Sequence, residues 1–589
     1  MSMREKVLIK LATRGRLITT VASVACCYML CIMPAFSKLG SVEEDTIYPG
    51  GTLPFVRAED FNTGTHPEYK YIAETPYFVH QATRDDGREG LVYVFMGAEA
   101  AKIGYALAAA LRRVEWLSKD VYFVFPKKTK ELKEWLHAFY RGGVGTEEKP
   151  IIRGAFVLEL ANSGPHYLEM SVEGINGILP NEDWGNVLFE VASDLGITVN
   201  VRPLYESIVY QGLNGGIGKA HTVFLDYAIP ALGIANQRNQ KRGPVRSLQV
   251  AQLVGRHLRA VSGLHLQLHH STSWYFYTGF TSREISMGLF LPLLIGLFSP
   301  LIVAVVDLNG HTELPIYSLA LMGHVLAGVI FIGGSCFALL VYMYGPTNPI
   351  RSDPALIGIS VLIALPIVAH VLTSRWLQKK FDSDPNNICI YDFPKTFSAN
   401  VHKVYCLILV SLTLLHWSLA LLVTLLVLPM LLLAAPLGSF SQVPRACMCL
   451  ASVVFSSAAL FCLISGTDIY ARQAFGDAMQ QVLANLQGGP WWAPTDLIHF
   501  LREWAYRRIS LGKSIKQHVN ESMHYQGLAL PVLIGTFVPA IIFVVEIAFA
   551  KPGNTKVGIS VVSPKLLNSR RVALLVVAAS VMAYQIYSS

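Results

Sequence analysis

Charge is what this chain has least of. Asp, Glu, Lys and Arg make up 15% of its 589 residues, against roughly 25% in a soluble protein, while 52% are apolar and the mean hydropathy is +0.42. A soluble chain of this length would form about three or four domains, and so little charge cannot solvate their surfaces. A wholly soluble enzyme is excluded, as is a disordered or nucleic-acid-binding scaffold, despite the net charge of +8. Cysteine is missing from residues 38–282: Cys26, Cys27, Cys31, Cys336, Cys406, Cys447, Cys449 and Cys462 fall in or beside apolar runs, and Cys389 in a loop between them. That stretch therefore has no disulfide and no cysteine nucleophile. HExxH, GxSxG and CxxC are absent as well, so no catalytic residue, metal site or cofactor is assigned.

The charge deficit is uneven, and its distribution predicts a polytopic membrane protein with one large extramembrane domain. A basic leader (1–16; Arg4, Lys6, Lys10, Arg14, Arg16) precedes an apolar run over 17–37, read as an uncleaved signal anchor because Met33-Pro34-Ala35-Phe36 is a poor cleavage site. The leader then stays cytosolic and residues 38–282 face the lumen. A bundle of about seven helices is expected over 283–550, with apolar runs near 284–307, 316–343, 354–374, 403–436, 446–466 and 528–550. The 403–436 run reads as two helices broken at His416-Trp417-Ser418. The basic loops 375–402 and 551–570 are then cytosolic, and the long 467–526 loop is lumenal, where Asn520-Glu521-Ser522 is a glycosylation sequon. A helix near 491–510 lies either on the headgroups or on the bundle, and 571–587 is a candidate ninth span.

Within 38–282 the periodicity alternates between strand and helix. Strands are expected at Leu91–Met96, Asp120–Phe125 and Gly154–Leu160, with helices at Ala100–Leu117, Thr129–Tyr140, Asp183–Ala192 and Arg246–Leu268. Val223–Leu225 and Gly233–Ala235 are read as a further strand pair. Such alternation implies an α/β domain around a mostly parallel sheet. Its chemistry would sit at the carboxyl ends of the strands, where the sequence offers Gly97-Ala98-Glu99, Pro126-Lys127-Lys128-Thr129 and Ala161-Asn162-Ser163. Lysines there repel a dication, so Glu99 is read as a solvated helix start and Glu159 as a satisfied acid. Gly215-Gly216-Ile217-Gly218-Lys219 lacks the upstream glycine of a phosphate loop. His265, His269 and His270 offer an i, i+4 pair without a carboxylate, and His324 and His370 read as hydrogen-bonding links between helices. Glu546 pairs with a partner or snorkels.

Several strings resemble the GPI-anchor attachment protein family, the zinc-aminopeptidase-like subunit of glycosylphosphatidylinositol (GPI) transamidase. They are Ser118–Val124 followed by Glu134–Tyr140, Val172–Asn181, Leu268–Ser271, His416–Ser418, and His524-Tyr525-Gln526-Gly527 with Pro531 and Pro539. The resemblance implies an α/β lumenal domain with a zinc-aminopeptidase-like fold, an α-helical polytopic bundle, and a place in the endoplasmic reticulum membrane. It also implies partners: other transamidase subunits, including a caspase-like cysteine protease that carries the Cys/His chemistry, and the GPI lipid. This chain would recruit and position the lipid without catalysing transfer. Pro539, Pro531, His524 and Tyr525 are the expected lipid-binding residues. The short segment before the first strand departs from the family, so early strands are expected to be missing or altered. An active zinc aminopeptidase or peptide synthetase would need a metal set in the lumenal domain. A transporter would need internal repeats and paired intramembrane charges.

Overall fold

The computed structural model describes residues 53–62, 68–83, 88–141, 150–160, 167–201, 204–213, 218–237, 246–263, 275–277, 284–286, 294–302, 315–344, 353–383, 393–434 and 527–549, with isolated positions at 25–26, 451–454, 456–457 and 519. The chain divides into two compact units, Cys31–Leu291 and Met1–Leu30 with Pro292–Ser589.

The first unit is an α/β domain. Its strands are β1 (Lys70–Ile72), β2 (Thr75–His80), β3 (Glu89–Met96), β4 (Asp120–Val124), β5 (Ile151–Glu159), β6 (Tyr167–Ser171), β7 (Val199–Asn200) and β8 (Ala231–Gln237), in the order β1-β2-β4-β3-β5-β8-β6-β7. The sheet is mixed. A parallel centre (β4, β3, β5, β8) and the parallel edge pair β6–β7 are joined and flanked by the antiparallel pairs β1–β2, β2–β4 and β6–β8, so four of the seven strand pairs are parallel and the sheet is less uniform than the alternation implied. The helices are α1 (Ala98–Leu111), α2 (Thr129–Arg141), α3 (Glu182–Asp194), α4 (Leu204–Gly212), α5 (Thr222–Leu225) and α6 (Ser247–Gly263). A separate hairpin pairs β9 (Tyr275–Tyr277) with β10 (Glu284–Ser286).

The near-continuous apolar runs of β3 and β5 follow from burial on both faces. One face (Val92, Val94, Tyr122, Val124, Ala155, Val157) packs with Leu132, Trp135 and Leu136 of α2 and with Val223 and Phe224 of α5. The other holds Tyr93, Phe123 and Phe156 in stacked or tilted ring contact, with Trp184 of α3 and His257 of α6 against it. His257 is fully buried. Its Nε2–H must donate to the Trp184 carbonyl (3.2 Å), which leaves Nδ1 to accept the Tyr93 hydroxyl (3.1 Å) and fixes a neutral tautomer.

Burial pushes the His257 pKa down to about 3. The unfolded imidazole titrates near 6.5, so the two states differ in bound protons only below that pH. Between about 6.5 and 3 the unfolded chain takes a proton that the folded chain refuses, and stability falls by up to about 1.4 kcal/mol per unit of acidification. The urea midpoint followed by tryptophan fluorescence is therefore expected to drop from neutral pH to about pH 5, and to drop less in His257→Phe, which has no proton to take up.

Three expectations are corrected, and the short segment before β3 holds the hairpin β1–β2, which turns through Ala73 and Glu74 at φ 46 and 65°. Such turns favour Asn-Gly, so no local residue pattern marks this one. Helix α1 stops at Leu111, because the Arg113 and Val114 N–H groups bond to Ala110 and Leu111 (3.1 Å each) and tighten the last turn. Val223–Leu225 is a helical turn, with Asp226 N–H bonded to the Thr222 carbonyl (3.0 Å), and β8 pairs with β5 and β6 instead. The interval 375–402 is largely helix, leaving only 384–392 between α8 and α9.

In the second unit, besides a helical stretch over 294–302, the described residues form α7 (Pro315–Tyr344), α8 (Asp353–Ser383), α9 (Phe393–Leu415), α10 (Trp417–Ala434) and α11 (Ala529–Phe549). Three hold stretches long and apolar enough to cross a membrane, Leu319–Val341, Thr396–Leu415 and Ala529–Ile547. The 403–436 run is two helices: α9 begins ten residues before the apolar run, and the break falls at His416, whose Nδ1 accepts the Leu419 N–H (3.4 Å) as a cap for α10. Contacts of α7 with α11 at Gly328–Phe543 and Gly333–Gly535 make that pair antiparallel. Phe397–Phe543 and the Tyr405 hydroxyl on the Thr536 carbonyl (2.7 Å) do the same for α9 and α11. Thus the Phe337 end of α7, the Leu415 end of α9 and the Pro531 end of α11 lie on one side of the bundle.

Candidate functional site

At the carboxyl ends of the central strands, both suspected carboxylates serve the backbone and its neighbours. Glu99, in the first turn of α1, accepts the Ser247 hydroxyl (2.5 Å) and Lys102 Nζ (3.1 Å), which together hold its pKa below the usual carboxylate range. Half-buried Glu159 accepts the Ala220 N–H (3.4 Å). After β4, the Lys127 N–H donates to Glu131 (2.8 Å), closing the start of α2 on its own side chain. Among the described residues no group of three or more His, Cys, Asp or Glu side chains is placed to hold a metal ion. Residues 161–166, 214–217 and 264–274 lie outside the described residues, and with them Ala161-Asn162-Ser163, most of the glycine loop, and His265, His269 and His270.

The bundle offers a site of another kind. Helices α7, α9 and α11 line an open-sided groove of about 530 Å³. Its walls are Leu326–Phe337 of α7, Leu407–Leu415 of α9 and Pro531–Thr536 of α11, and of the lining side chains only Ser411 and Thr536 bear a hydroxyl. The Thr536 hydroxyl is spent on the Val532 carbonyl one turn back (2.7 Å). The floor is a close helix crossing: a Cβ on Gly333 would stand 2.6 Å from the Gly535 Cα and 2.8 Å from its oxygen. That carbonyl is free of its helical donor, because the residue four positions on is Pro539.

A family profile described as "Gaa1-like, GPI transamidase component" matches residues 73–545, which takes in both units. The chain belongs to this family. It is also similar to "GPI transamidase component GAA1" of Saccharomyces cerevisiae, 28% identical over 158 residues, a match that spans a quarter of this chain and a quarter of the relative's length. As a Gaa1-like chain it is a multi-pass protein of the endoplasmic reticulum membrane with a large lumenal domain.

In the Gaa1-like frame the strings that carried the resemblance take structural parts. Ser118 and Lys119 cap the end of α6: Lys119 Nζ donates to the Ser262 carbonyl (2.7 Å) and the Ser118 N–H to the Ser262 hydroxyl (3.1 Å). In Val172–Asn181, Asn176 and Gly177 turn at φ 55 and 73°, the Gly174 N–H bonds to the Ile178 carbonyl (2.8 Å), and Asn181 caps α3 through the Asp183 N–H (3.0 Å). Buried Glu173 accepts the Ser207 hydroxyl (3.2 Å).

Of the expected lipid-binding residues, Pro531 lines the groove, while Pro539 is buried one turn beyond Gly535 and is not part of the wall. His524, Tyr525 and the sequon at Asn520 lie outside the described residues, as do the helix near 491–510 and the 571–587 run. Toward the opposite end of the bundle, His324 Nε2 meets the Ser374 hydroxyl (2.9 Å), its ring stacks on His370 (4.1 Å, 2°), and His370 Nε2 stands 3.4 Å from Glu546 Oε2. His324 thus links α7 to α8 by a hydrogen bond, whereas His370 and Glu546 bring α8 and α11 into close contact without a hydrogen bond between these two atoms. The sequence reading missed Gly333, Gly334 and Gly535, although small residues at intervals in a spanning helix signal close packing.

Proposed function

We propose that this Gaa1-like chain is the non-catalytic subunit of a GPI transamidase, which recruits and positions the GPI lipid and scaffolds the complex. The observation that supports this reading best is the groove: an apolar, three-helix recess within membrane-spanning segments, lined by Pro531 and floored at Gly535. The transamidation chemistry then belongs to a caspase-like cysteine protease among its partners, in keeping with a lumenal domain that has no cysteine. In the proposed topology the His416 turn is lumenal, which puts the groove in the lumenal half of the bundle, on the side where the GPI headgroup is joined to protein.

Pro539 acts here through Gly535. Leucine at 539 supplies the missing N–H, re-engages the Gly535 carbonyl and straightens α11, which shifts the floor of the groove. Pro539→Leu is expected to assemble with its partner subunits yet carry less GPI lipid through purification. Full lipid recovery with an assembled mutant counts against the reading, as does a wild-type chain that brings down neither a cysteine protease nor GPI lipid.

A further inference from the structure

We infer that the groove takes one acyl chain from one leaflet, and that Gly334 and Gly535 decide whether it enters; this rests on the lipid-binding reading above. Length comes first. From Leu326 to Phe337, helix α7 rises roughly 16 Å, about half of a hydrocarbon core of roughly 30 Å. A recess of that depth matches a chain inserted from one headgroup layer and is too short to seat a spanning helix.

Volume leads to the same occupant. A helix roughly 10 Å across and 30 Å long fills on the order of 2,000 Å³, whereas the groove holds about 530 Å³, within the roughly 300–1,000 Å³ typical of a site for one small ligand. The hydrophobic signal helix of a protein substrate is therefore too large to be taken into the groove as a whole. Lining chemistry argues against a headgroup: no charged side chain reaches the wall, and its only hydroxyls are those of Ser411 and Thr536, the latter already donating to its own helix. A sugar or phosphate buried there would lose its water and gain too few partners to replace it.

The glycines of the site divide by what a side chain would meet. At Gly333 a Cβ strikes the Gly535 backbone, so that glycine serves helix packing. At Gly334 and Gly535 a Cβ meets nothing within 4 Å, and both residues line the groove, so their missing side chains are part of its open space. A Cβ at either position has room, so a larger side chain starts into the groove rather than into backbone. Gly323, on the same helix, also has open space around its Cβ but is exposed and outside the groove, which makes it a matched control.

The test uses the full chain in phosphatidylcholine nanodiscs containing phosphatidylinositol with a diazirine in one acyl chain. After irradiation, mass spectrometry is expected to find label on the groove segments of the wild type. Gly334→Phe and Gly535→Phe are expected to lower that labelling at least roughly tenfold, the equivalent of about two buried methylenes, with unchanged yield of folded protein. Gly323→Phe labels as the wild type does. Should either phenylalanine variant fail to fold, Gly334→Ala and Gly535→Ala keep the test, with smaller losses expected at both positions.

Groove labelling in the wild type that persists in the folded variants overturns this inference and leaves the lipid reading standing. Absence of any groove labelling in the wild type overturns both. Two further results overturn the inference alone: stronger groove labelling by a probe with its diazirine on the headgroup, or displacement of the acyl label by an apolar peptide helix.

Discussion

The Gly154→Val variant is expected to yield no folded lumenal domain. Gly154 lies on β5 opposite Leu91 of β3, in the central pair of the sheet, and the Trp184 indole is laid directly over it. A Cβ at this position would overlap the ring at three carbon atoms, and Trp184 is fully buried, so it has nowhere to go. The indole also packs 5.2 Å from the His257 ring, which is itself bonded to Tyr93 and to the Trp184 carbonyl. Displacing Trp184 therefore breaks a buried polar link as well as the packing of α3. Overpacking alone typically costs about 1–3 kcal/mol, and the added loss of buried hydrogen bonds puts this variant in the exceptional class above about 4 kcal/mol. Expression of the full chain with limited proteolysis of the lumenal domain checks it. Because the obstacle is one side chain, a smaller residue should relieve it: Gly154→Ala with Trp184→Leu should be more resistant to protease than Gly154→Ala alone, a coupling expected only between residues in contact.

A comparable loss is expected in the bundle from Gly333→Leu. Here the obstacle is backbone: the Cβ would meet the Cα, oxygen and carbonyl carbon of Gly535 at 2.6, 2.8 and 3.1 Å. No rotamer avoids that clash, so α7 and α11 must separate. The contact is also where the Pro539-freed carbonyl is covered, and parting the helices leaves it bare in hydrocarbon, where each unsatisfied backbone group costs several kcal/mol. Thermal aggregation of the detergent-solubilised chain should begin at a lower temperature in Gly333→Leu, and lipid capture should be lost with it. Gly334→Leu, one residue along, should keep the wild-type thermal profile because its side chain enters open space. Equal thermal behaviour of the two variants would show that this helix crossing is not the close one described.

Much of the α/β domain was legible because its central strands are short, apolar and buried on both faces, and α2 has a clear amphipathic stripe of Leu132, Trp135, Leu136 and Phe139. The hairpin β1–β2 was hidden by a turn built from Ala73 and Glu74. Strand β6 was hidden because Tyr167–Ser171 is a short, mixed run that draws its stability from β8, more than sixty residues later in the chain. His324, His370 and Glu546 stood out as intramembrane polar residues, but nothing local to α7, α8 or α11 pairs them. Pro531 and Pro539 belong to the string that resembles the family's last span, and the structure gives them different positions, one on the groove wall and one behind its floor.

By itself, the sequence determined the class of this protein. Charge too sparse for solvent, apolar runs of spanning length and a cysteine-free stretch of alternating strand and helix patterns follow from composition and local periodicity, which need no partner elsewhere in the chain. Only the tertiary structure decided where a lipid chain would lie. A groove is the space between helices, and its walls come from residues some two hundred positions apart in sequence. Three glycines in it divide between packing and open space solely by what the facing helix presents: Gly333 meets the Gly535 backbone, whereas Gly334 and Gly535 face the vacancy.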